Sequence, residues 1–200
     1  MTENMDLAKT HNFSAAYKTT ASKLVTFQHY HDAYEIDFFI NADLEIFIKD
    51  TKYKIHNGDI IFINEFDIHR FFYRDVTAEY NRYLINFKKE YILPNLEAAG
   101  REHILDCLKD KKYTYAATTL KERIELESLF KSLINAYDSC SQTTSAKLSS
   151  AAVKSYLVLI LIRIWEIISR YNPEINENKK SRLIQSIIQF IDTNYMTEIT

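Results

Sequence analysis

The chain has 200 residues, 46% of them hydrophobic and including 14 Tyr and 12 Phe, enough apolar surface to offset the ordering entropy of one ordinary domain and to exclude intrinsic disorder. Lys plus Arg is 25 and Asp plus Glu is 27, a formal net charge of -2 with a pI near 6.3, so there is no basic excess of the kind that carries DNA binding over a chain's own surface. Two glycines leave little room for a phosphate-cradling loop, and two cysteines without Cys-x-x-Cys spacing point to reduced thiols rather than a disulfide scaffold.

The opening stretch Met1 to Thr10 lacks the basic and apolar blocks of a signal peptide. The longest apolar run, Leu157 to Ile162, is far short of a membrane span. A cytoplasmic protein is expected. From residue 23 the sequence is a succession of short β-rich runs: Lys23 to His31, Glu35 to Ile40, Leu44 to Lys49, Lys52 to Ile55, Ile60 to Asn64, Arg70 to Arg74 and Glu79 to Phe87. Turn-forming clusters at Asn41-Ala42-Asp43, Asp50-Thr51 and Asn57-Gly58-Asp59 separate them, which is the pattern of an antiparallel sandwich or barrel. Leu44, Ile46 and Ile48 alternate with Glu45, Phe47 and Lys49, so one face of that strand is apolar. Asn57-Gly58 fits a turn that requires positive φ.

After Tyr91 the apolar period becomes helical. One or two short helices are expected around Leu96, Leu105 and Leu108, and an amphipathic helix over Leu120 to Tyr137. Ser139 to Ser150, rich in Ser and Thr, is expected to be a loop. A long helix over Ala151 to Tyr171 follows, closed by Pro173. Its apolar surface exceeds one stripe, so a partner subunit is expected against Leu157, Ile160, Leu161, Ile164, Trp165 and Ile168. Asn172 to Lys180 reads as a polar linker. Ser181 to Thr200 begins another amphipathic helix, so the chain reads as cut short there.

His29, His31, Glu35 and His69 are the residues that suggest chemistry. Positions 29, 31 and 35 share parity, so an unbroken strand would point all three the same way, and a second strand would bring His69 to meet them. Three imidazoles and one carboxylate suit a divalent transition metal with open coordination positions. They equally suit the polar lining of a small-molecule pocket. Arg70, Arg74 and Arg82 are candidates to clamp an anionic ligand or, more simply, solvated strand residues. The aromatics Phe27, Tyr30, Phe38, Phe47, Phe62, Phe71, Tyr73, Tyr83 and Phe87 are expected to be mostly core, a few lining the pocket.

His29-Tyr-His31-Asp-Ala-Tyr-Glu35 resembles the first cupin motif, and Gly58-Asp59-Ile60-Ile61-Phe62-Ile63-Asn64 running to His69-Arg70-Phe71 resembles the second. The variant is similar to the amino-terminal sensor domain of AraC-type (AraC/XylS) transcription regulators. Arg182 to Thr200 is similar to the first helix of that family's helix-turn-helix DNA-binding unit. The sequence departs from the pattern at Asn41-Ala42-Asp43, where the family has a Gly, and at Glu65, where a Pro is common.

The resemblance implies an α+β protein: a cupin-like (double-stranded β-helix or jelly-roll) barrel over 1–90, a helical dimerisation region over 91–175, and a linker with the first helix of a truncated DNA-binding unit over 176–200. It implies a non-enzymatic homodimer that binds a small-molecule effector at His29, His31, Glu35 and His69 without a cofactor, and DNA only through the missing carboxy-terminal unit. The alternative is a metal-dependent cupin enzyme, a dioxygenase or isomerase, with those four residues as metal ligands.

Overall fold

The computed structural model describes residues 12–21, 27–74, 78–110, 114–140 and 146–171. Among the described residues there are eight strands, β1 (Phe13–Ala21), β2 (Tyr34–Asn41), β3 (Leu44–Ile48), β4 (Thr51–Ile55), β5 (Ile60–Ile63), β6 (His69–Tyr73), β7 (Glu79–Phe87) and β8 (Tyr115–Ala116), and four helices, α1 (Lys89–Ala98), α2 (His103–Leu108), α3 (Leu120–Cys140) and α4 (Ala146–Tyr171). Hydrogen bonding defines two antiparallel sheets, a five-stranded one in the order β1-β7-β2-β5-β8 and a three-stranded one in the order β4-β3-β6. The α+β composition and the antiparallel sheets match the expectation, and the two sheets share one apolar core.

Alternation on β2 explains how the layers assemble. Ile36 and Phe38 face outward from the sandwich, where Phe38 stacks on Phe130 of α3 with ring centroids 5.3 Å apart. One apolar core thus joins the outer face of the large sheet to all four helices. On the inner side, Phe39 of β2, Ile61 and Ile63 of β5, Leu44, Ile46 and Ile48 of β3, and Phe71 of β6 form a second core between the sheets. Glu35 and Asp37 have the parity of Phe39 and lie wholly buried on this inner side. Gly58 has φ of +90°, as its turn demands, and a Cβ there would lie 2.9 Å from Thr118 Oγ1.

The helical layer is pinned at its ends. Thr119 and Glu122 cap α3 reciprocally, Glu122 Oε2 accepting from the Thr119 backbone N–H at 2.8 Å while Thr119 Oγ1 accepts from the Glu122 N–H at 3.4 Å. Arg163 and Arg170 of α4 pair with Glu125 and Glu122 of α3.

Four expectations need correction. The run Lys23 to His31 is not a strand where it is described: 22–26 lie outside the described residues, and 27–31 make one antiparallel bridge, His29 to His69, before the backbone bends at Asp32 and Ala33. The first described strand is instead β1, whose three Ala and one Lys are poor strand formers and weaken its β signal. The Ser/Thr-rich stretch is largely helical, since α3 runs to Cys140 and α4 begins at Ala146; helical context overrides weak propensity. Finally, Leu157, Ile160, Leu161, Ile164 and Ile168 are buried in the chain's own core, and Trp165 is partly buried against it. Much of the apolar breadth of α4 is thus used inside the protomer. Pro173, the linker and the helix begun at 181 lie outside the described residues.

Candidate functional site

The site forms where the two sheets meet. His69 opens β6 of the small sheet, and His29 is held beside it by a reciprocal backbone pair, His29 N–H to His69 O at 3.1 Å and His69 N–H to His29 O at 2.8 Å. Phe66 donates its N–H to His31 O at 2.7 Å, fixing the next residues of that segment. Glu35 comes from β2 of the large sheet. The bend at Asp32 and Ala33 lets the chain pass from one sheet to the other, so His29, His31 and Glu35 converge without sharing a strand.

The three imidazoles lie edge to face or tilted, with ring centroids 5.0 Å (His29–His31), 4.3 Å (His29–His69) and 5.3 Å (His31–His69) apart. One ligating atom from each falls within 4.8 Å of the others. Glu35 spans two of them, with Oε2 at 3.2 Å from His31 Nε2 and Oε1 at 3.8 Å from His69 Nε2. All four residues singled out from sequence therefore meet at one place.

Backbone carbonyls set the imidazole tautomers. His29 Nδ1 is 2.8 Å from Phe27 O and His69 Nδ1 is 2.9 Å from Asp67 O; a carbonyl only accepts, so each Nδ1 carries the proton and each neutral ring keeps its Nε2 lone pair. His69 Nε2 is buried and has no hydrogen-bond partner among the described residues. An orphaned imidazole nitrogen inside a protein is costly unless something binds it. This nitrogen, the Nδ1–H anchors and the three-imidazole spacing together fit a divalent transition metal, with Glu35 available as a fourth ligand or as the group that orients His31. Such a metal would supply Lewis acidity to a bound ligand.

Electrostatics follow burial and pairing. Burial pushes the Glu35 carboxyl up, but the His31 hydrogen bond and the neighbouring imidazoles and Arg82 outweigh it and bring it down to about 2, so Glu35 is anionic. Burial lowers the His69 pKa against the pull of Glu35, so its ring is neutral and able to ligate. Two further residues extend the polar strip inward. Asp37 is wholly buried and raised well above the usual carboxylate range by burial. Arg82 Nε approaches Asp37 Oδ1 at 2.9 Å without the alignment of a hydrogen bond, and its guanidinium lies 4.4 Å from the Phe71 ring centroid.

The remaining candidates divide by environment. Arg74 pairs with Glu45 at 2.8 Å and Arg70 covers the Phe72 ring, both on the outer face of the small sheet. Phe38, Phe62, Phe71, Tyr83 and Phe87 are core; Phe27 and Tyr30, on the histidine segment, are 81% and 62% exposed. Asp37 was the residue the sequence reading missed. An Asp two positions from Glu35 on an otherwise apolar strand was the available signal. A recess of about 320 Å³ lined by Asn41, Asn57 and Glu79 lies at the far end of β2 and holds none of these residues.

No family model and no curated protein matches the chain. Solved cupin structures are among those it is similar to. The cupin 2 conserved barrel protein of Salinispora arenicola is 16% identical with a TM-score of 0.35, the match covering 40% of this chain and 66% of that one. The cupin domain of Schizosaccharomyces pombe Cnp3 is 7% identical with a TM-score of 0.37, over 44% and 63% of the two chains. The plu4264 protein of Photorhabdus luminescens is 22% identical with a TM-score of 0.36, over 45% and 74%.

Proposed function

We propose that this chain is the ligand-sensing portion of an AraC-type transcription regulator, cytoplasmic and non-enzymatic, with its small-molecule site at His29, His31, Glu35 and His69. The observation that supports this most is the double role of β2. Its inner side places Glu35 beside His31 and His69, and its outer side packs Phe38 against Phe130 of α3. A ligand that pulls on Glu35 acts on the strand carrying the helical layer. It would favour one arrangement of that layer over another by its difference in affinity for the two. The helices would pass the shift to a second protomer and to a DNA-binding unit beyond Thr200.

The test uses the full-length gene product. Effector-dependent operator binding should be lost in His69→Ala and Glu35→Gln while basal DNA binding is retained. A gene ending near Thr200, or an effector response unchanged in both variants, contradicts the reading.

A second reading is favoured by the orphaned His69 Nε2: a metal-dependent cupin in which His29, His31 and His69, with Glu35, hold a divalent ion. The two are compatible at the level of the site. A metal there would serve a sensor as the anchor of its ligand, or an enzyme as its Lewis acid.

A further inference from the structure

The helical layer packs on the outer face of the large sheet; the outer face of the small sheet is aromatic and charged. Ile46 of β3, Ile55 of β4 and Phe71 of β6 point into the core between the sheets. By alternation the outer face is made of Glu45 and Phe47, Lys52 and Lys54, and Arg70 and Phe72. The register sets these in two rows across the strands, one running Lys54, Glu45, Phe72 and the other Lys52, Phe47, Arg70. Rings and cations thus alternate both along and across the sheet.

The rings and cations already hold one another in place. The Arg70 guanidinium sits over the Phe72 ring at 4.3 Å from its centroid, and Phe47 meets Phe72 edge to face at 5.0 Å. A guanidinium fixed on a ring is a ready plane for a nucleobase, which stacks on arginine as it does on an aromatic side chain. Phe72 is 37% exposed and Lys54 is exposed. Arg74 follows Phe72 on this face, where Glu45 takes it at 2.8 Å and Lys52 at 3.0 Å, and Asp43 lies 3.6 Å from Arg74. Four cations therefore meet two carboxylates, and the face is positive in a chain whose net charge is -2.

That charge selects the occupant. A second copy docked two-fold on the same face would set cations against cations. A membrane takes rings that project past their cations, whereas Phe47 is half-buried and level with Lys52 and Arg70 in its row. Unpaired bases offer flat faces with a phosphate at every step, which is the pattern that alternating rings and cations fit. We propose that the outer face of the small sheet binds single-stranded nucleic acid, with bases on Phe47 and on the Arg70 and Phe72 pair, and phosphates at Lys52, Lys54 and Arg74. Glu45 opposes this by occupying two of the cations. The surface is separate from the histidine site and stands or falls without it.

Fluorescence anisotropy of a labelled oligothymidylate of about 20 nucleotides, titrated with the whole chain in low salt, tests this. Binding should have a Kd of about 100 μM or tighter and weaken about tenfold when salt is raised fourfold, as two or three phosphate contacts require. Phe72→Ala should weaken it about fivefold or more, and Lys54→Gln about threefold. Glu45→Gln should tighten it, a gain that a purely structural carboxylate would not give. Thermal melts check that each variant is folded. Failure to bind the oligonucleotide, equal affinity for a duplex of the same length, or unchanged affinity in Phe72→Ala and Lys54→Gln overturns the proposal. So does uptake by phosphatidylserine vesicles without binding of the oligonucleotide, which would make the face a membrane surface.

Discussion

His69 concentrates the energetics of the site in one side chain. It is buried and neutral, with Nδ1–H given to the Asp67 carbonyl and Nε2 left open. Its folded-state pKa lies below the unfolded value of about 6.5, chiefly through burial. Between those two values the unfolded chain binds a proton that the folded chain does not. Stability from this group therefore rises with pH and is complete above about 6.5, and it is lost as pH falls through the folded pKa. In metal-free buffer, the melting temperature should climb from about pH 5 to pH 7, and His69→Phe should flatten that climb. An unchanged slope in the variant would show that His69 is charged or exposed in the native state. Glu35 works in the same direction at lower pH: its carboxyl is held at about 2, so its contribution is present above its unfolded pKa and lost as pH falls through that value.

Elements carry the second lesson. The four site residues were legible because each stands in a strongly patterned stretch: parity for His29, His31 and Glu35, and the Gly58 turn with its apolar strand ahead of His69. Their route to one place was not legible. An unbroken strand was expected, whereas a bend at Asp32 divides the residues between two sheets, because backbone pairing of His29 with His69 binds that segment to β6. β1 escaped notice because Ala15, Ala16, Lys18 and Ala21 weaken its β signal, although Phe13 and Ala15 are buried under the helices. The two-residue β8 is defined only by its pairing to Ile60 and Ile61, which no local pattern encodes. The long helix α4 was read correctly as buried on more than one side, but its second neighbour is the chain's own core. Leu161→Asp should accordingly abolish cooperative folding, since a carboxylate would be buried without a partner. Circular dichroism melts check this. A folded monomeric variant from a dimeric parent would instead restore Leu161 to an interface.

At the scale of the whole molecule, two cores share the large sheet. One lies between the sheets and surrounds the polar strip from the histidines to Arg82; the other binds the outer face of the same sheet to the helices. A site at the junction of the sheets can therefore influence the helical layer through β2 without a moving lid. That division also explains why net charge says little about the site. The overall balance is -2, yet Glu35 and Asp37 lie buried beside His31, His69 and Arg82. The central claim is that His29, His31, Glu35 and His69 make one binding site. Native mass spectrometry of the chain, as purified and after addition of zinc, tests it most directly against a His31→Ala/His69→Ala variant of matched folding. The expected result is a bound metal ion or small molecule on the parent, at one per chain, that is missing from the double variant. The same occupancy in both proteins, or none in either with zinc supplied, would contradict it.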